Sequence, residues 1–227
     1  MQYTIIDRPN LAETVADAIR NMIVDGRLAD GERINEVQIS ALLGVSRTPL
    51  REALNRLSAD GSLNPKPRHG YFVAPLSEDE FVQIYGLRPI LDPAALRLAG
   101  LPSPAQLERL EALNRKLGAL QKPDRAVECD DEWHIELLAH CPNRVLVEMI
   151  EGVIHRTRRY ELALMREQKH IAHAAKTHTL ILAALRKGDL GQACAALEQN
   201  MREGREPVLA WLRARAKRGG TKKDAVA

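Results

Sequence analysis

Apolar residues recur at helical spacing from the start of the chain. Over residues 9–26, Leu11, Val15, Ala18, Ile19, Met22 and Ile23 share one face of an amphipathic helix, and Gly26 closes the run. A short helix with Val37, Ile39, Leu42 and Leu43 follows, then a tight turn at Gly44, where positive φ carries no penalty. A second helix opens at Ser46, a candidate N-cap. It repeats Leu50, Ala53, Leu54 and Leu57 at i, i+3, i+4, i+7, and ends near Asp60-Gly61. Pro49 is tolerated in its first turn, whose N–H groups have no helical partner. Leu63 and Gly70–Val73 then read as two short strands around a loop stiffened by Pro65 and Pro67. From Ser77 the pattern is helical throughout. The predicted helices are 77–91, 93–100, 103–120, 124–140, 143–168, 171–187 and 189–214. Ser77, Ser103, Asn143 and Asp189 are the candidate caps, Pro93 and Pro104 fall at starts, and Gly188 falls at an end.

Helix, tight turn, helix and hairpin in that order make a winged helix-turn-helix. This arrangement sets its second helix in the major groove of double-stranded DNA. The face opposite the apolar stripe of that helix carries Arg47, Thr48, Arg51 and Asn55, and the wing loop carries Lys66, Arg68 and His69. Arginine can grip guanine with two hydrogen bonds or hold a phosphate. The stretch GERINEVQISALLGVSRTPLREALNRLSADGSL, followed by RHGYFV, resembles the DNA-binding domain of the GntR family of bacterial transcription regulators over residues 9–75. The resemblance implies DNA contact at Arg47, Thr48, Pro49 and Arg51, with the wing around Arg68, His69 and Gly70.

Composition alone does not point this way. The chain has 227 residues and a formal net charge of +3. Residues 1–75 are formally neutral, with nine basic and nine acidic side chains, whereas residues 46–70 hold five basic and two acidic ones. The signal is therefore local. Cys129, Cys141 and Cys194 show no paired spacing, and this odd count fits free thiols in a reducing cytoplasm. No apolar run reaches membrane-spanning length, and the first helix begins too early to leave room for a targeting segment.

The helical remainder places polar residues on faces that should point inward. Asp130 and His134, spaced i, i+4, share a face with Leu137, Leu138 and Cys141; His178 shares one with Ile181, Leu182 and Leu185; Asn200 shares one with Leu197, Gly204, Val208 and Trp211. A carboxylate and imidazoles meeting inside a bundle make a divalent-metal site, and a hydrogen-bonded core pair is the alternative. Asp131 could replace Asp130. His140, His155, His170 and His173 read as surface or helix-end residues, and Cys129 points away from Asp130. Arg88, on the face of Ile84 and Leu91, could receive a carboxylate in its fork. Glu132 and Glu136 are the nearby groups that a metal-dependent enzyme would need, without any supporting triad.

DDEWHIELLAHCPNRVLVEMI, HTLILAALRKGDLGQACAALEQNM and the opening LRPILDPAALRLA resemble the FCD effector domain of the FadR-type branch of GntR regulators, over residues 78–213. The resemblance implies a metal held by one Asp and three His. Asp130, His134 and His178 fall on the first three positions, and Asn200 stands where the third His is usual. An amide oxygen is a weaker, neutral donor. It lowers affinity, shifts selectivity towards oxygen-preferring ions, or leaves the site without metal. Zinc, nickel and manganese are all compatible.

The expectation is a mostly α protein. Residues 1–75 form a winged helix-turn-helix, residues 76–213 an all-α bundle of six or seven helices for effector binding and dimerisation, and residues 214–227 a basic disordered tail. Such a chain would be a cytoplasmic repressor rather than an enzyme or membrane protein. It would act as a homodimer on a palindromic operator and answer to a small carboxylate held by the metal and Arg88. The alternative is a regulator for which the ion itself is the signal.

Overall fold

The computed structural model describes residues 11–166 and 168–223. The chain divides into two compact units, Met1–Pro75 and Leu76–Ala227.

The first unit contains α1 (Leu11–Val24), α2 (Glu36–Leu43), α3 (Arg47–Ala59), β1 (Leu63–Lys66) and β2 (Gly70–Val73). Val15, Ile19 and Ile23 of α1 and Leu50, Leu54 and Leu57 of α3 close its core with Ile39, Leu63 and Val73. Leu11 departs from the predicted stripe and is exposed, as are Val37 and Leu42 of α2, so only Ile39 of that short helix is buried. Val37 lies two residues, and so about 200°, around the helix from Ile39. Asn35 caps α2 by accepting hydrogen bonds from the Val37 and Gln38 N–H groups at 3.2 and 3.1 Å. Gly44 ends α2 in the left-handed conformation, at φ 65°. Ser46 stands at the N-cap position of α3, but its side chain makes no capping hydrogen bond. β1 and β2 pair antiparallel from Leu63↔Val73 to Lys66↔Gly70. Arg68 takes φ 64° at the tip, and the His69 N–H closes the turn on the Lys66 carbonyl at 2.9 Å.

The second unit contains α4 (Glu78–Tyr85), α5 (Arg88–Ala99), α6 (Pro104–Ala119), α7 (Pro123–Leu138), α8 (Arg144–Leu164), α9 (Gln168–Arg186), α10 (Leu190–Glu203) and α11 (Arg205–Lys223). Ser77, Ser103, Asn143 and Asp189 each cap a helix with a side-chain oxygen, as their spacing predicts. Ala95, Leu96, Leu110, Trp133, Leu137, Ile154, Ile181, Leu185 and Leu197 form the main core. Phe81, Tyr85, Tyr160, Val208, Leu209 and Leu212 form a smaller one.

The helix boundaries differ most from expectation in three places. The break expected before Pro93 falls instead at Gly86-Leu87. Pro89, in the first turn of α5, lacks the N–H that would have bonded to the Tyr85 carbonyl, whereas Pro93 is carried inside α5. The predicted helix 189–214 is interrupted at Gly204, where Pro207 denies Glu203 a helical N–H, so the bundle has one helix more than expected. Residues 214–223, expected as a disordered tail, continue α11 to Lys223. Ala214, Arg215, Ala216, Lys217 and Arg218 are all good helix formers. Residues 224–227 lie outside the described residues. Among the described residues, no helix is long and apolar enough to cross a membrane.

Candidate functional site

The polar face of α3 and the tip of the wing carry the residues expected to meet DNA. Arg47, Arg51 and Asn55 follow one another at i, i+4, i+8 along one side of α3, all exposed, with Thr48 beside them and Pro49 half-buried. Arg51 Nε donates to Glu36 Oε2 of α2 at 3.1 Å, so part of its fork is held within the domain. Tyr71 on β2 donates its hydroxyl proton to Asn55 Oδ1 at 2.6 Å and ties the wing to α3. Lys66 Nζ lies 4.4 Å from the Phe72 ring centroid. Arg68 and His69 project at the turn, and Gly70 opens β2 with φ 90°.

A second constellation lies inside the helical unit. Asp130 and His134 come from α7, and His178 from α9. One donor atom of each lies within 4.8 Å of the other two, and all three residues are buried. His134 Nε2 is 3.8 Å from Asp130 Oδ2, and His178 Nε2 is 3.5 Å from Asp130 Oδ1. These gaps are too long for good hydrogen bonds. Donors about 2.1 Å from a tetrahedral ion stand about 3.4 Å apart, so the spacing fits atoms arranged around a cation. Asp130 Oδ1 and His178 Nε2 are buried without a hydrogen-bond partner. The residues present therefore fit a divalent ion. The His178 ring is braced by stacking on Trp133, with centroids 3.6 Å apart and planes 6° apart. The Trp133 indole is itself fixed by donating to the Leu110 carbonyl at 3.1 Å.

The electrostatics point the same way. Burial, then the neighbouring Arg88, pushes His178 down to about 3; burial, Arg88 and His178 lower His134 well below the usual imidazole range. Both shifts favour the neutral imidazole, the form that offers a lone pair to a metal. Burial, with Glu161 and Asp131, raises Asp130 well above an ordinary carboxylate. Arg88 opposes that rise without cancelling it, so the ionised form of Asp130 is disfavoured as the site stands, and a bound cation would favour it.

A cavity of about 60 Å³ opens beside this cluster, with room for an ion and a few small ligand atoms. Its wall includes Tyr85, Arg88, Asp130, His134, Glu161 and Asn200. Arg88 is buried, as the inward-face reading requires. Its Nε and Nη2 both donate to Asp92 Oδ2 at 3.2 and 2.9 Å, while Nη1 lies 3.9 Å from Glu161 Oε1. Burial opposes the Arg88 charge, but Asp92 and Glu161 outweigh it and raise the pKa. Burial and Asp131 push Glu161 up to about 7 despite Arg88.

The remaining candidates separate cleanly. Asp131 accepts from Arg158 Nε at 3.0 Å, and Cys129 turns its thiol to the Leu113 carbonyl. Glu132 and Glu136 are bound to Lys116 and Arg109 of α6, at 3.4 and 2.8 Å. His173 is exposed and His170 lies in the first turn of α9, as expected, and both also border the cavity, with His173 Nε2 3.1 Å from Glu203 Oε2; His140 and His155 are exposed. The sequence reading missed Asp92, Glu161, Tyr85 and Trp133. The i, i+4 spacing of Arg88 and Asp92 signals their pair, and Glu161 shares a face with Ile154 and Thr157. Nothing local marks Tyr85 or the stack of Trp133 on His178.

Two family models divide the chain as the two sets of residues do. The one for bacterial regulatory proteins of the gntR family matches residues 11–73, and the one for the FCD domain matches residues 83–203. The chain belongs to the GntR family. It is a DNA-binding transcriptional regulator with an FCD domain. This GntR regulator is 33% identical over 184 residues to the Nta operon transcriptional regulator of Aminobacter aminovorans, covering 77% of this chain and 83% of the relative. It is 25% identical over 200 residues to the HTH-type transcriptional repressor GlaR of Escherichia coli strain K12, covering 81% and 89%. Its fold is that of E. coli McbR/YncC, with TM-score 0.67 and 24% identity over 91% of this chain and 98% of that one. These relatives are regulators of transcription, not enzymes. In this GntR chain the buried polar cluster therefore sits within the FCD domain.

Proposed function

We propose that this regulator is a cytoplasmic repressor whose hold on its operator is released by a small organic acid bound in the helical unit. The observation that carries the proposal is the buried convergence of Asp130, His134 and His178, with Asp130 Oδ1 and His178 Nε2 lacking hydrogen-bond partners, beside a cavity that Asp130, His134 and Arg88 line. Asp130, His134, His178 and Asn200 would hold a divalent ion. When bound, the ion supplies open coordination positions for a carboxylate. Arg88 adds positive charge at the same wall, and the neutral imidazoles add none that would compete with the ion. A homodimer presents two α3 helices and two wings to a palindromic operator, through Arg47, Thr48, Pro49, Arg51, Asn55, Lys66, Arg68, His69 and Gly70.

Chain order supports coupling between cavity and DNA. α4 begins three residues after Pro75 and ends at Tyr85 on the cavity wall. Its start is held by Glu80 against Arg156 and Arg159 of α8, and by Glu78 against Arg213 of α11 at 2.6 Å. One short helix thus links the ligand-facing wall to the connection with the DNA-binding unit. An acid that fits one placement of α4 better than another shifts the population of the two, and nothing else can.

The test begins with an operator selected from random duplex DNA by the full-length protein. Its release is followed by fluorescence anisotropy on adding small carboxylates, with the protein loaded with metal or stripped of it. Release only by acid, and only from loaded protein, is the expected result. Release by the ion alone would make the ion the signal. Release by acid from stripped protein would assign the cavity to direct binding by Arg88 and the histidines.

A further inference from the structure

Asn200 is the donor at which the expected three-imidazole set is broken, and the structure holds it in a definite way. Thr177 precedes His178 on α9. Its hydroxyl donates to the Ala174 carbonyl one turn back, at 2.9 Å. That hydroxyl has a single proton, so while it is given to Ala174 the hydroxyl accepts from Asn200. Asn200 Nδ2 donates to it at 2.7 Å. The amide nitrogen is thereby committed to Thr177, and Asn200 Oδ1 is left buried with no hydrogen-bond partner. Asn200 belongs to the same cavity wall as Asp130 and His134. Turning the amide over would make the Thr177 hydroxyl give up the Ala174 carbonyl in order to donate to Oδ1, and would turn an N–H towards the place of a cation.

We propose that Thr177 is a positioning residue that aims the Asn200 carbonyl oxygen into the metal site. The donors become two imidazoles, one carboxylate and one amide oxygen, which moves the preference of the site from zinc towards manganese. The proposal rests on the reading of Asp130, His134 and His178 as a metal site. It adds that the departure at residue 200 is a working ligand whose orientation comes from another helix. Oxygen donors suit manganese better than a third imidazole does, while zinc gains more from nitrogen.

The experiment is calorimetric titration of chelator-stripped, full-length protein with Mn²⁺ alone and with Zn²⁺ alone. Thr177→Val keeps the shape and removes the acceptor; it should weaken Mn²⁺ binding about tenfold or more, as loss of an outer-shell partner does. Thr177→Ser should bind as the wild type does. In Asn200→Asp the two carboxylate oxygens are equivalent and no orientation is needed. Adding Thr177→Val in that background should therefore cost less than about twofold. Asn200→His should raise the ratio of Zn²⁺ to Mn²⁺ affinity about tenfold. An equal loss from Thr177→Val in both backgrounds would show a general packing defect and overturn the proposal. So would no loss at all, in a protein whose binding His134→Ala abolishes; that result leaves the metal site standing. Failure of the wild type and of Asn200→His to bind either ion would remove the metal reading and this proposal together.

Discussion

Arg20 is the buried charge on which the first unit depends. It is 4% exposed, donates through Nε and Nη2 to Asp60 Oδ2 at 3.1 and 2.7 Å, and also pairs with Asp17. This clamp joins α1 to the end of α3. Arg20→Ala would strand Asp60 in the core and should cost about 3–5 kcal/mol. Trp133 and Trp211, the only tryptophans, both lie in the second unit. The loss should therefore appear as an earlier urea transition in circular dichroism, with little change in tryptophan fluorescence. A common shift in both signals would refute independent loosening of the first unit. Gly204 is a second such position. A Cβ there would collide with the Tyr85 hydroxyl. Gly204→Ala should cost about 1–3 kcal/mol, and Tyr85→Phe should recover much of that in the double variant, as melting temperatures would show. Arg20 was missed in the sequence because its stripe reads only as an apolar face with a charge at its edge. The partner that explains it lies forty residues away.

At the scale of elements, α3 was legible because its two faces differ in kind. Leu50, Ala53, Leu54 and Leu57 fix the buried side, which leaves Arg47, Arg51 and Asn55 outside. Arg47→Ala and Arg51→Ala should each weaken operator binding about tenfold or more with the fold intact. An arginine on phosphate should lower the salt slope by about one, whereas one on a base edge should relax sequence preference instead. Anisotropy titrations at several salt concentrations separate the two, and unchanged affinity would remove α3 as the reading helix. Asp130 and His134 were legible for the same reason, since i, i+4 spacing beside Leu137 and Leu138 leaves them no outward face. The join of α4 to α5 was not. Pro89 and Pro93 are both able to interrupt a helix, but α5 continues through the second, with Ala95 and Leu96 packed into the core just beyond it. The orientation of Asn200 was beyond local pattern altogether, because Thr177 approaches it from another helix.

For the whole molecule, the division into two units predicts that ligation acts on one of them. A metal that binds only the folded helical unit at a hundred times its dissociation constant should stabilise that unit by about 2.7 kcal/mol. The fluorescence-detected transition should move to higher urea, and a transition reporting the first unit should stay where it is. His134→Ala should abolish the shift; a shift that persists in that variant would place the ion elsewhere. The stack of Trp133 on His178 has a further practical meaning. A fully buried fluorophore lies flush against a prospective ligand ring, while the other tryptophan, Trp211, is only half-buried on α11. The protein thus carries an intrinsic optical gauge of its buried Asp130, His134 and His178 cluster. Occupancy can be followed from the native emission of Trp133, with Trp133→Phe as the blank, before any operator or effector is known.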